Sequence, residues 1–203
     1  MDNKKNKINN IFIITNDPLF IKQHLLSILD KLNSKYKIFI LTNNRSIFRK
    51  NIKYNYLHIP IKRKPSPIFD FICLIKLIFL IKAKKPDIVI SFTPKAALLN
   101  ALSSFVFTNK NLHYFTGQVW ADMNGFKKNF YKLLDLFVIK MMNKTLCDSK
   151  SQSDFLVKNL NLREFERPKV LLSGSIAGVN LDRFKYDLKK RIIARKELNI
   201  SKS

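Results

Sequence analysis

The sequence predicts an α/β fold, a three-layer domain built around a mainly parallel sheet. Two observations carry that prediction. Short runs rich in Ile, Leu, Val and Phe alternate with longer stretches of helical spacing along almost the whole chain. Proline punctuates this alternation at Pro18 and Pro94, where helices would open, and at Pro86, where one would stop. Strands separated by helices this many times imply βαβ units and a sheet covered on both faces. A chain of 203 residues, 46% of them apolar, is long enough for one sizeable domain with a single core.

The elements follow in order. INNIFIIT reads as a first strand, and PLFIKQHLLSILDKL as a helix with Leu19, Phe20, Leu25, Leu26, Ile28, Leu29 and Leu32 at helical spacing. KYKIFILT and NYLHIPI are the second and third strands. RKPSP, Arg63 to Pro67, is a loop before a strongly apolar helix at Ile68–Lys84, and DIVISF is a buried strand. PKAALLNALSSFVF is a helix, NLHYFTG a strand, KNFYKLLDLFVIKMM a helix and KTLCDS a short strand. KSQSDFLVKNL is a helix with Ser149 or Ser151 as N-cap. PKVLLSG is the last strand, and DLKKRIIARKELNI a final amphipathic helix.

Charge is the outlier. Thirty-eight Lys and Arg against fourteen Asp and Glu give a formal net charge of +24, a field that favours nucleic acid, anionic lipid or phosphorylated small molecules. Biased composition that merely coats a solvated surface with lysine explains the same number. The aromatic residues lie in apolar runs rather than among the basic ones, which argues against a nucleic-acid module. Cys73 and Cys147 sit in unrelated apolar contexts, as in a reduced compartment, and three histidines show no metal-ligand spacing, so no metal site is expected. IFIIT is too short for a secretory core, and the apolar segment IFDFICLIKLIFLI, which carries Asp70 and Lys76, falls short of a membrane span. It reads as a helix that is either buried or membrane-facing.

Two of the four glycines, Gly174 and Gly178, fall in KVLLSGSIAGVNLDRF, directly after the last strand. Ligands of open α/β sheets bind at the carboxyl ends of strands, where glycine permits positive φ and close backbone approach. A tight, backbone-exposing loop and a plain surface turn both fit the spacing. The pattern is neither GxGxxG nor a P-loop.

GSIAGVNLDRF, Gly174 to Phe184, resembles the loop that ends the N-terminal domain of family-4 glycosyltransferases. HYFTGQVWADMNGF, KPDIVISFTPKAALLNALSS and KTLCDSKSQSDFLVKNL resemble further segments of that domain, so the resemblance covers the chain from about Asn9 to Arg195. It implies a Rossmann-like domain over 1–186, one half of a GT-B architecture, with 187–203 as the crossover helix and a truncated end. The implied half binds the acceptor. The donor half carries two glutamates with seven residues between them, and Glu164, Glu166 and Glu197 do not match that spacing, so the donor-binding domain is expected to be absent.

The implied activity is glycosyl transfer in surface polysaccharide biosynthesis, of the hexosyltransferase type and retaining. It uses no cofactor and takes a nucleotide sugar as cosubstrate. The implied partners are a glycan or lipid-linked acceptor and a separate donor-domain polypeptide, with no specific nucleic acid. The apolar helix Ile68–Ile81, flanked by KRK at Lys62–Lys64 and KAKK at Lys82–Lys85, adds an anionic membrane surface at the inner face of the cell membrane as a further expected partner, with a buried crossover helix as the alternative. The alternative is a non-catalytic basic module that binds anionic lipid or nucleic acid, and a third reading is a decayed fragment. Candidate substrate contacts are Asn16 after the first strand and Thr93 after the fourth. Thr116, Gly117, Gln118 and Trp120 follow the fifth, and Gly174, Ser175 and Gly178 follow the last. Trp120 is either a sugar-stacking platform or a packing residue. The loop Asn16–Phe20 lacks the family's glycines, and His113 lies within a strand, where a core role outweighs a general base, so no catalytic residue is assigned.

Overall fold

A computed structural model of the chain describes residues 8–44, 54–178, 181 and 184–201. The chain runs β1 (Asn10–Ile14), α1 (Pro18–Phe20), a π-helical segment (Ile21–Leu25), α2 (Leu26–Asn33), β2 (Lys37–Thr42) and β3 (Asn55–His58). It continues through α3 (Pro67–Lys84), β4 (Ile88–Ser91), α4 (Pro94–Ser103), β5 (Lys110–Phe115), α5 (Gly125–Met141), β6 (Lys144–Cys147) and α6 (Lys150–Leu160). A 3-10 turn (Glu164–Glu166), β7 (Lys169–Val170) and α7 (Leu188–Glu197) follow.

The strands form one sheet in the order β3-β2-β1-β4-β5-β6-β7, and every neighbouring pair is parallel. The chain first builds outward from β1 through β2 to β3. It then returns to the other side of β1 and builds outward again from β4. The strand order therefore reverses between β1 and β4, which makes their carboxyl ends the topological switch point.

Register decides which residues share a face. Phe12 lies level with Phe39 and Val89, His113 with Ser91 and Thr145, and Phe115 with Cys147. Those side chains project to the side covered by α3, α4, α5 and α6. Ile11, Ile13, Ile38 and Ile40 project to the other side and pack on Ile21, Leu25 and Leu29 of the first helical stretch. Phe12, Ile14, Leu41 and Val89 have no exposed surface. Burying each such side chain contributes about 2 kcal/mol, which is why these β-branched and aromatic runs settle in the middle of the sheet. Ala96, Ala97 and Ala101 let α4 sit low between α3 and α5.

Local chemistry sets the helix boundaries. The Asp17 carboxylate accepts the Leu19 amide at 3.0 Å, and Pro18 takes the first turn. Ser149 Oγ accepts the Gln152 amide at 3.1 Å and so, rather than Ser151, caps α6. α3 ends on Lys85 in the left-handed conformation (φ 46°), and Pro86 cannot continue it.

Two expectations change. The first helix is not a regular α-helix, since its second turn is π-helical. The last strand is shorter than PKVLLSG, because only Lys169 and Val170 pair with β6, and Leu172 (φ 50°) and Gly174 (φ 90°) then turn the chain off the sheet. α7 forms as expected but buries none of its residues. Val179, Asn180, Asp182 and Arg183 of the predicted crossover loop lie outside the described residues.

Candidate functional site

The ends of β1, β4 and β5 bring three of the predicted residues together. Thr15 directly follows β1, and its hydroxyl accepts the Asp17 amide at 3.1 Å and fixes the turn into α1. The amide of Asn16 then points at Thr93 Oγ1 across the switch point, 3.4 Å away. The Phe92 amide binds the Ile14 carbonyl at 3.2 Å and continues the β1–β4 ladder to its last residue. One strand over, Thr116 Oγ1 reaches the Phe92 carbonyl at 3.5 Å. Asn16 and Thr93 are half-buried, and Thr116 and Gly117 are exposed. This edge of the sheet therefore carries an amide side chain and two hydroxyls within reach of solvent, suited to hydrogen-bonding a polyol.

A second group lies at the ends of β5, β6 and β7. The Ser175 amide donates to the Asp148 carbonyl at 2.7 Å and ties the Gly174–Gly178 loop to the end of β6. Gly174 makes this possible: a β-carbon there would stand 2.2 Å from the Asp148 carbonyl oxygen. The loop folds back so that Ile176 packs against the cluster holding Phe92 and Tyr114, and the Gly178 amide faces Ser175 Oγ at 3.4 Å. Gln152 links the group, its Oε1 accepting the Asp148 amide at 2.8 Å and its Nε2 donating to Gln118 Oε1 at 3.5 Å. Gln118 Nε2, Asp148 Oδ1 and the Tyr114 hydroxyl are buried and close no hydrogen bond of normal geometry among the described residues. Burial first, and Asp148 second, push the Tyr114 hydroxyl well above its ordinary pKa. Buried polar groups left in this state are costly. Of these residues, the sequence marked Gln118 but not Tyr114, Asp148 or Gln152. The rule applied to the ends of β5 and β7 holds equally for CDSKSQ at the end of β6.

Trp120 is corrected. It is 1% exposed, its indole Nε1–H donates to Asp135 Oδ2 at 2.7 Å, and its ring stacks on Phe155 with centroids 5.2 Å apart. No ring face is open to a sugar, so the packing role holds. Burial raises the Asp135 pKa to about 6, against the lowering effect of the Trp120 hydrogen bond.

His113 is a core residue. Its Nδ1 lies 2.9 Å from the Ser91 carbonyl and 3.1 Å from Ser91 Oγ, beneath α4. Asn100 completes the seam by donating to the Val89 and Leu112 carbonyls at 3.3 and 3.2 Å. Burial lowers the His113 pKa to about 4, so the ring is neutral at pH 7 and cut off from any cleft reactant.

Two concavities of about 430 and 410 Å³ open at the opposite, amino-terminal edge of the sheet, one against Lys82, Asp87 and Lys110 and one against Asn143, Arg163 and Lys169. None of the predicted contacts lines them. Among the described residues, no three His, Cys, Asp or Glu side chains gather to hold a metal ion.

No protein-family model matches the chain. It is similar to solved structures across nearly its whole length. A glycosyltransferase from Rickettsia africae matches with a TM-score of 0.68 at 15% identity, over 97% of this chain and 51% of that one. HepE from Anabaena, solved with UDP and glucose, matches at 0.67 and 13% over 94% and 50%. UDP-N-acetylglucosamine 2-epimerase from Rickettsia bellii matches at 0.66 and 14% over 96% and 52%. The chain has the fold of a GT-B lobe. The GT-B lobe spans about half the length of these structures, which include transferases and epimerases alike, so the fold does not choose the chemistry. In sequence the lobe is similar to the capsular polysaccharide biosynthesis glycosyltransferase CapM of Staphylococcus aureus. The two are 29% identical over 134 residues, 65% of this chain and 35% of that protein.

Proposed function

We propose that this chain is the acceptor-binding half of a family-4-like, retaining glycosyltransferase that builds surface polysaccharide at the cytoplasmic face of the cell membrane. The observation that carries the reading is the similarity to CapM, a capsular polysaccharide glycosyltransferase. The placement of Asn16, Thr93 and Thr116 at the switch point supports it. In the complete enzyme a second lobe holds the nucleotide sugar and stabilises the leaving diphosphate. The present lobe holds a glycan or lipid-linked acceptor so that its hydroxyl meets the anomeric carbon, a gain in orientation rather than in acid–base chemistry. Asn16, Thr93, Thr116 and Gln118 are the groups for acceptor hydroxyls. The Gly174–Gly178 loop, bonded to Asp148 by the Ser175 amide, presents backbone polar groups at the same edge.

The test is a transfer assay with radiolabelled nucleotide sugars and bacterial glycolipids. The expected result is neither hydrolysis nor transfer by this chain alone, and transfer once a polypeptide carrying a donor lobe is added. Robust turnover by this chain alone would overturn the half-enzyme reading.

A further inference from the structure

The ends of β5 and β6 hold a set of polar groups with bonding capacity left over. Tyr114 is 5% exposed, and its hydroxyl, Gln118 Nε2 and Asp148 Oδ1 are buried and close no hydrogen bond of normal geometry among the described residues. These groups are linked to one another. The Gln152 carboxamide joins Gln118 to Asp148, donating to Gln118 Oε1 at 3.5 Å and accepting the Asp148 amide at 2.8 Å. The Asp148 carboxylate also stands close enough to the Tyr114 hydroxyl to help hold its proton on. The set therefore offers a free N–H on the Gln118 side, a free carboxylate oxygen on the Asp148 side and a hydroxyl that can act either way. Its wall is apolar: the Tyr114 ring stacks on Phe92 with centroids 6.1 Å apart, and Ile176 packs against the same cluster.

The loop that closes over this set is lightly held. Among the described residues, one hydrogen bond ties residues 172–178 to another part of the sheet edge, from the Ser175 amide to the Asp148 carbonyl at 2.7 Å. Leu172 (φ 50°) and Ser175 (φ 65°) hold a left-handed backbone that a side chain disfavours, and the Leu172 side chain is fully exposed. The strain in the loop and the unpaired groups beside it both raise the energy of the closed arrangement. Lifting the loop relieves the strain and opens the polar groups to a ligand.

The chemistry left over selects the ligand group. A sugar hydroxyl bonds through one oxygen and makes no use of an apolar wall. A secondary amide presents an N–H and a carbonyl on opposite sides, and an acetamido group adds a methyl. The Gln152 carboxamide already bridges Gln118 and Asp148 with this polarity. We propose that Tyr114, Gln118 and Asp148 form a subsite for an acetamido group on the acceptor sugar, entered when residues 172–178 lift. The amide N–H of the ligand donates to Asp148 Oδ1, its carbonyl accepts from Gln118 Nε2, and its methyl packs on the cluster of Phe92, Tyr114 and Ile176. The proposal rests on the acceptor-binding reading and names the class of acceptor within it.

The test is a chemical-shift titration of the labelled chain with short-prenyl diphosphate-linked N-acetylglucosamine and with the matching glucose and glucosamine compounds. The expected result is binding of the N-acetylglucosamine compound at least tenfold tighter than either of the others. It should shift the side-chain NH2 signals of Gln118 and Gln152 together with the Ser175 amide. In Asp148→Ala, which keeps the backbone groups that hold Ser175 and Gln152, the preference should fall below twofold. Gln118→Ala, at a half-buried position, should show the same loss and carries the test should Asp148→Ala fail to fold. Equal affinity for the three compounds, with shifts at Asn16 and Thr93 retained, would overturn the acetamido subsite and leave the acceptor reading standing. So would a preference that survives in both variants, or tightest binding of the glucosamine compound, which would make Asp148 the partner of an ammonium group. Binding of none of the three would overturn the subsite and the acceptor reading together.

Discussion

Gly174 holds φ at 90°, and the space a β-carbon would need is taken by the Asp148 carbonyl oxygen. Gly174→Ala must both strain the backbone and push the loop off β6, which costs about 2–3 kcal/mol. The expected outcome is a lower midpoint in denaturant, together with loss of hydrogen-exchange protection at the Ser175 amide. Trp120 and Asp135 make a contrasting pair. Trp120→Phe leaves a buried carboxylate without its donor and should cost about 1–3 kcal/mol in thermal unfolding. Thr116→Ala, at an exposed cleft position, should leave stability within about 0.5 kcal/mol. The two buried titrating groups act in opposite directions with pH. His113 is depressed to about 4, so the unfolded chain binds its proton first, and stability falls as pH drops from about 6.5 toward 4, by on the order of 3 kcal/mol. Asp135 is raised to about 6, so the folded chain binds that proton first and gains stability over the same window. In Asp135→Asn the compensating gain is gone, and its melting temperature should fall more steeply than that of the parent between pH 6.5 and pH 4. A parallel pair of melting curves would refute the assignment.

At the scale of elements, α3 separates packing from surface within one helix. Leu77→Ala, in the core, should cost about 2–5 kcal/mol, whereas Phe79→Ser, on the outer face, should cost less than about 0.5 kcal/mol by chemical denaturation. The same helix shows what the sequence could and could not reveal. Its end was legible because Pro86 stops it, while its first residue, Pro67, read as the last of the preceding loop, and the strand–helix alternation pointed to the parallel sheet. Which face of an all-apolar helix turns outward was not legible, because periodicity carries no signal when nearly every position is apolar. The early end of β7 was hidden for a related reason: Leu171 and Leu172 look like strand, and only the positive φ at Leu172 takes them off the sheet. At the site, Asn16, Thr93 and Thr116 could be named because a polar residue directly after a buried strand in a parallel sheet lands at the carboxyl edge. Trp120 could not be placed, since its burial depends on Asp135 and Phe155 closing over it from α5 and α6, contacts with no local trace in the sequence.

Across the whole molecule, the parallel order with its reversal between β1 and β4 sets one edge apart as the place where a ligand meets backbone and hydroxyl groups together. The net charge of +24 acts over the entire surface, and by itself it would attract any polyanion at low salt. A gel shift with duplex DNA should accordingly show binding that disappears at physiological salt. Retention there would favour a nucleic-acid module over a sugar-handling lobe. The central claim is that the carboxyl edge receives an acceptor and not an activated sugar. Amide chemical-shift mapping of the isotopically labelled chain, with short-prenyl diphosphate-linked monosaccharides and separately with UDP-glucose, tests it most directly. The account predicts saturable shifts at Asn16, Thr93, Thr116, Gln118 and Ser175 with the prenyl-linked sugars and none at these amides with UDP-glucose. Shifts at these amides with UDP-glucose, and silence there with the prenyl-linked sugars, would contradict it.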